Sequence, residues 1–202
     1  MGLRCTIIAM YSVGITVRIT LMFEFLISLS AAYGGWICPT CTSQEQYVLD
    51  QLQDKTLIRD KNALATIMGN IKQESKFVPN ICEGGARVPY NKCYSGGYGL
   101  IQWTTAGRYK NLGLFCRKYG CDPSTLEGQT RYMINENVFQ SQLPSFEGRG
   151  WSVAQYMRPA YNWLGWGIKG ARQQYAYDYT KKLVWQPQRG NQAQVPCPTG
   201  LT

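Results

Sequence analysis

Glu74 stands where the surrounding pattern calls for an apolar side chain. Steps of three and four residues from Leu64 pass through Ile67, Met68 and Ile71 and reach Glu74 and Ser75, so one helical face runs from aliphatic groups onto a carboxyl. Apolar surroundings and the negative end of a helix dipole both favour the protonated acid there. Such an acid can protonate a glycosidic oxygen. The competing reading leaves Glu74 at the border of the core, reaching water or pairing with Lys72, Lys76 or Arg108. The chain has no histidine, which removes Ser-His-Asp triads, Cys-His peptidases and His-ligated zinc hydrolases. Acid-base chemistry then falls to Asp, Glu, Lys, Tyr or Cys.

Two-carboxylate glycosidases place the second acid about 5 to 9.5 Å from the first. Glu83 is the candidate, inside a loop that a Cys82 to Cys93 bridge would close; a solvated or capping Glu83 is the alternative. Asp60 and Asp122 each look like helix-start residues.

The segments "GNIKQESKFVPN" and "SGGYGLIQW" resemble the lysozyme-like superfamily. There, goose-type lysozymes and lytic transglycosylases set the acid in a Glu-Ser pair and follow it with a Gly-Leu-(apolar)-Gln segment. Gly69, Asn70, Glu74, Ser75, Tyr98, Gly99, Leu100, Ile101, Gln102, Trp103, Thr104, Gly107 and Arg108 are similar to the core of the phage tail lysozymes. The strong part covers about residues 61 to 118; "RPAYNW", Arg172, Ala176 and Tyr177 to Tyr179 resemble the C-terminal helices more loosely. Arg158 and Pro159 stand where an acid is expected, so no role is carried onto that stretch.

The resemblance implies a mainly α (α+β lysozyme-like) fold, a helical domain with a small loop or β-hairpin lobe flanking the cleft. It implies a peptidoglycan lysozyme that cuts between N-acetylmuramic acid and N-acetylglucosamine, with Glu74 as proton donor. The alternatives are a lytic transglycosylase, in which the acetamido oxygen of the substrate takes the place of a second carboxylate and anhydro-muropeptides form, and a non-catalytic wall-binding module. Ser75 would orient the acid or simply end the helix. Gly99 would let backbone approach the sugar, and Gln102 offers a donor and an acceptor to an acetamido group. Tyr98 and Trp103 offer flat faces to sugar rings or belong to the core. Arg108 would meet a muramyl or peptide carboxylate, or a surface acid. Tyr161 and Asn162 match the late Tyr-Asn pair of lytic transglycosylases, or pack. No metal or organic cofactor is implied. The expected partners are peptidoglycan glycan strands and, for a virion-borne form, a phage tail assembly.

The elements that must position these groups are mostly helices. "SQEQYVLDQLQDK" predicts a first helix from Ser43 to Lys55, capped by Ser43, and a second starts near Lys61 and stops before Pro79. Residues 80 to 99 form a loop or hairpin lobe, and "YGLIQWTT" reads as a short strand. Further helices are expected from Ala106 to Gly120, from Asp122 to Phe139, across "VAQYMRPAYNWLGWGIK" with a proline break, and from Ala171 to Val184. "SQLPSFEGRGWS" reads as a loop.

Apolar residues at 45%, charged residues at 16% and a chain of 202 residues describe one aromatic-rich globular domain. The net charge of +9 suits an anionic wall; the basic residues are scattered and form no nucleic-acid arm. Residues 1–33 read as a signal peptide or signal anchor flawed by Arg18 and Glu24, 34–186 as the catalytic domain and 187–202 as an irregular Pro-rich tail. A secreted or virion-associated protein with no lasting membrane attachment after leader removal is expected. The eight cysteines fit an oxidising compartment, with bridges expected for Cys82 with Cys93, Cys116 with Cys121, and Cys197 with Cys38 or Cys41.

Overall fold

The computed structural model describes residues 34–94 and 96–187. Gly35–Gln186 form one compact unit. The expected leader, Cys5, Cys197 and all of the expected tail beyond Pro187 lie outside the described residues. Helices run over Ser43–Lys55 (α1), Lys61–Ser75 (α2), Ala106–Tyr119 (α3), Leu126–Asn135 (α4), Asn137–Glu147 (α5), Val153–Leu164 (α6) and Arg172–Lys182 (α7). Strands β1, Gly35–Ile37, and β2, Val184–Gln186, pair antiparallel with Trp36 opposite Trp185. The fold is mainly helical, as expected. No helix among the described residues is long and apolar enough to cross a membrane.

Helix α2 is the centre of the domain and touches α1, α5, α6 and α7. Every residue from Ala63 to Ile71 is buried, so it is enclosed on all sides rather than along one stripe. Burial of Leu64, Ile67, Met68 and Ile71 stabilises the fold by about 1.5–3 kcal/mol each. Asp60 caps its start by accepting from Asn62 N and Ala63 N. Its end comes at Lys76 and Phe77, both at positive φ, with the Phe77 ring driven into the core.

Gly69 decides how α7 lies on this helix. A Cβ there would stand 2.4 Å from Ala176 N and 2.9 Å from Arg172 O, so only glycine admits the α7 backbone. A second tie joins three helices: Lys72 of α2 and Tyr179 of α7 both donate to Glu45 of α1. Burial opposes charge on Glu45, but hydrogen bonds from Lys72, Tyr179 and Thr42 N prevail and lower its carboxyl from 4.5 to about 2. A carboxyl lowered on folding stabilises fully above its unfolded value and ceases to do so as pH falls through its folded value. The unfolding free energy from urea titration should therefore decline between pH 4.5 and about 2, by on the order of 2 kcal/mol after solvent screening at half-open Lys72. Glu45→Gln should flatten that decline.

Several expectations need correction. Thr42, not Ser43, caps α1, reciprocally with Glu45. Tyr98 to Trp103 wind into a turn instead of a strand, with Gly99 and Gln102 both at positive φ. The single helix expected from Asp122 to Phe139 is two, parted at Glu136; Asp122 makes a turn with Ser124 N, and Thr125 caps α4. The expected loop from Ser141 is helical through Glu147 despite Pro144, because Phe139 and Phe146, two turns apart, are both fully buried. Pro159 does not break α6, which instead ends at left-handed Gly165. Cys82 to Cys93 and Cys116 to Cys121 are bridged as expected. Cys38 and Cys41 bond to each other, closing the turn before α1, so neither is left for Cys197.

Candidate active-site groove

The C-terminal end of α2 opens onto a groove of about 530 Å³. Its walls come from the segment after the lobe, Ile101, Gln102 and Thr104, and from the connection between α6 and α7, Leu164 to Ile168. Glu74 and Glu83 both line it, as does Arg172. The sequence therefore brings both candidate carboxylates to one cavity.

The lobe owes its shape to short-range ties. The Cys82 to Cys93 disulfide closes it, Cys82 bridges to Tyr98, and Gly99 N donates to Ile81 O at 2.8 Å. Glu83 is exposed, yet its Oε2 accepts from Gly97 N at 2.8 Å, and Glu83 N donates to Gly97 O. One carboxylate oxygen is thus tethered to the lobe. Gly96 sits at φ 75°, and a Cβ there would stand 2.0 Å from Glu83 Oε2, so glycine is required beside the carboxylate.

Glu74 lies in the last turn of α2 and keeps 14% of its side chain exposed. Its surroundings are not the purely apolar ones expected. The Arg172 guanidinium, 7% exposed, pairs with Glu74 through Nη2. Arg172 is itself fixed: Nη1 donates to Ile168 O and Lys169 O, both at 2.9 Å, and its Cζ lies 4.8 Å from the centre of the Trp166 ring. None of the partners proposed for Glu74 from sequence is the actual one; Lys72 serves Glu45 and Arg108 serves Glu136. Arg172 was visible in the sequence only within the looser resemblance of the C-terminal helices, with no role assigned to it.

Gln102 lines the groove in a left-handed conformation, φ 52°, which a non-glycine residue adopts only when its surroundings enforce it. Its Nε2 donates to Gly99 O at 3.0 Å, and Oε1 accepts no hydrogen bond among the described residues. An acceptor is therefore left unpaired on a residue of the groove wall. The turn itself is held from behind by fully buried Gln129, whose Oε1 accepts from Leu100 N and whose Nε2 donates to Pro79 O and Pro123 O. Sequence reasoning passed over Gln129, since a glutamine within a helix carries no signal until its partners are known.

The remaining expected site residues lie elsewhere. Ser75 is buried and donates to Leu100 O at 2.7 Å, which locks the turn to α2. Tyr98 is fully buried among Tyr90 and Tyr109 and donates to Val88 O. Gly99 is approached by Gln129 at the place where a sugar was expected. Trp103 is a core residue that donates to Glu136, and Arg108 forms an ion pair with the same carboxylate at 2.5 Å. Tyr161 is exposed, with its ring edge-on to Trp166. Asn162 lines a different groove and bonds Gln142.

A helical domain whose central helix ends in a carboxylate, facing a disulfide-closed lobe across an open groove, has the lysozyme-like architecture. The chain belongs to the phage tail lysozyme family: the family model for phage tail lysozyme matches residues 44–183. No curated protein and no solved structure matches it. Family membership indicates a lysozyme-like activity directed at the cell wall.

Proposed function

We propose that the protein is a muramidase that hydrolyses the bond between N-acetylmuramic acid and N-acetylglucosamine, with Glu74 as general acid. The observation that supports this most is the placing of Glu74, poised in the groove and held by Arg172, with Glu83 on the opposing lobe. A glycan seated in the groove excludes water and competes for the space beside the ion pair. Glu74, drawn out of the ion pair by the incoming glycan, takes up a proton from solvent and delivers it to the glycosidic oxygen as the bond to the anomeric carbon breaks, releasing the 4-hydroxyl of N-acetylglucosamine. Water adds to the anomeric carbon, and Glu83 takes the proton that this water gives up. Gln102 Oε1 accepts from an acetamido N–H, and the Trp166 face steadies a sugar ring.

Export or delivery on a virion fits the three bridges and the cationic chain, whose net charge of +9 draws it to an anionic wall. The rival within the same fold is a lytic transglycosylase, which needs no second carboxylate and is favoured by the exposure of Glu83. Mass spectrometry of muropeptides released from purified peptidoglycan separates the two. Reducing muramic acid ends are expected; anhydro ends, one water lighter, would overturn hydrolysis while leaving Glu74 as the acid.

A further inference from the structure

The groove of about 470 Å³ between α5 and α6 shares no lining residue with the groove of Glu74. Gln155, Arg158 and Asn162 project into it from one exposed face of α6, three and four residues apart. Gln142 and Ser145 of α5 form the other wall, and Trp151 closes one end. The Trp151 ring is 42% exposed and leans on Tyr156 at 5.4 Å, while its carbonyl accepts from Asn62 Nδ2. An aromatic plate is thus already fixed at the mouth.

The polar groups are fixed as well. Gln155 Oε1 accepts from Ser152 N and Oγ, both at 2.9 Å, which leaves its Nε2 protons without a partner among the described residues. Asn162 Nδ2 donates to Gln142 Oε1, which leaves Asn162 Oδ1 as an open acceptor. Arg158 is exposed and makes no ion pair among the described residues. We propose that this groove is a second glycan-binding site, for an N-acetylated saccharide strand that carries carboxylates.

Each part of that ligand has a counterpart. The apolar face of a pyranose ring stacks on an indole, a lone guanidinium suits a single carboxylate, and the open donor of Gln155 and open acceptor of Asn162, two helical turns or about 10 Å apart, meet the acetamido groups of different sugars along the strand. A nucleic acid would demand several cations along the groove, and Arg158 is the only basic residue lining it. The site would hold the enzyme on insoluble wall while the Glu74 groove works on the strand. It also gives Arg158 and Asn162, which the catalytic groove leaves unused, a role. This inference rests on the muramidase reading for its choice of glycan.

The test measures binding in the inactive Glu74→Gln background, with Trp151→Ala and Arg158→Ala added singly. The probes are purified peptidoglycan glycan strands bearing lactyl carboxylates and a neutral oligomer of N-acetylglucosamine. Trp151→Ala should weaken binding of both by about tenfold, and Arg158→Ala should weaken only the carboxylate-bearing strand. Because Arg158 is exposed and unpaired, its variant folds normally and serves where Trp151→Ala loosens Tyr156. In the active background, cleavage of sacculi should fall while turnover of soluble fragments stays unchanged. Unaltered binding in both variants, or equal losses of the two probes with Arg158→Ala, would overturn the proposal. A protein that binds as described and releases no new ends would instead contradict the muramidase reading alone.

Discussion

Glu136→Ala should lower the unfolding free energy by about 3–5 kcal/mol. The carboxylate is 4% exposed at the junction of α4 and α5. It accepts from Trp103 Nε1 at 3.3 Å, Trp163 Nε1 at 3.1 Å, and Arg108 through both Nε and Nη2. Alanine would leave two buried indole N–H groups unpaired, at about 1–3 kcal/mol each, beside a half-buried cation without its counter-charge. Glu136→Gln, which keeps the shape and one acceptor, should fall between. Urea titration with an unchanged slope would register the loss as stability rather than altered compactness. Because Trp103 ends the turn that carries Gln102, the variant should also lose wall cleavage at temperatures where it remains folded. A loss below about 1 kcal/mol would mean that Arg108 and the indoles find other partners.

The same carboxylate shows why the sequence was read well in some places and poorly in others. Helix α1 was legible because a polar cap, an acid behind it and apolar spacing all agree over Ser43–Lys55. The division at Glu136 was not, since its cause is a tertiary network drawing in Arg108, Trp103 and Trp163 from distant segments. Strands β1 and β2 are three residues each and pair across almost the whole domain, so no local pattern announces them. The segment from Ser141 reads as a loop in the sequence, and two buried phenylalanines hold it in a helix through Pro144.

Glu74, Glu83 and Gln102 were legible as a group and share one groove. Tyr98, Trp103 and Arg108 look like ligand contacts by type, but in the fold they bond backbone, core and Glu136. Arg172 arrives from the far end of the chain, and only the close approach at Gly69 brings it to Glu74.

Glu74→Gln should reduce peptidoglycan cleavage by about a thousandfold, the effect of withdrawing a positioned general acid, equal to about 4 kcal/mol of barrier. The amide preserves the shape of the side chain and an oxygen acceptor for Arg172, but it cannot yield the proton that the leaving oxygen requires. Stability should fall by only about 1–3 kcal/mol, because the guanidinium keeps its bonds to Ile168 O and Lys169 O when its counter-charge is gone. Assays well below the unfolding midpoint therefore compare two folded proteins. The decisive measurement is the rate at which new sugar ends appear in purified peptidoglycan treated with each of them. The account predicts steady release by the unaltered protein and almost none by a folded Glu74→Gln variant. Equal release by both would place the acid elsewhere and contradict it.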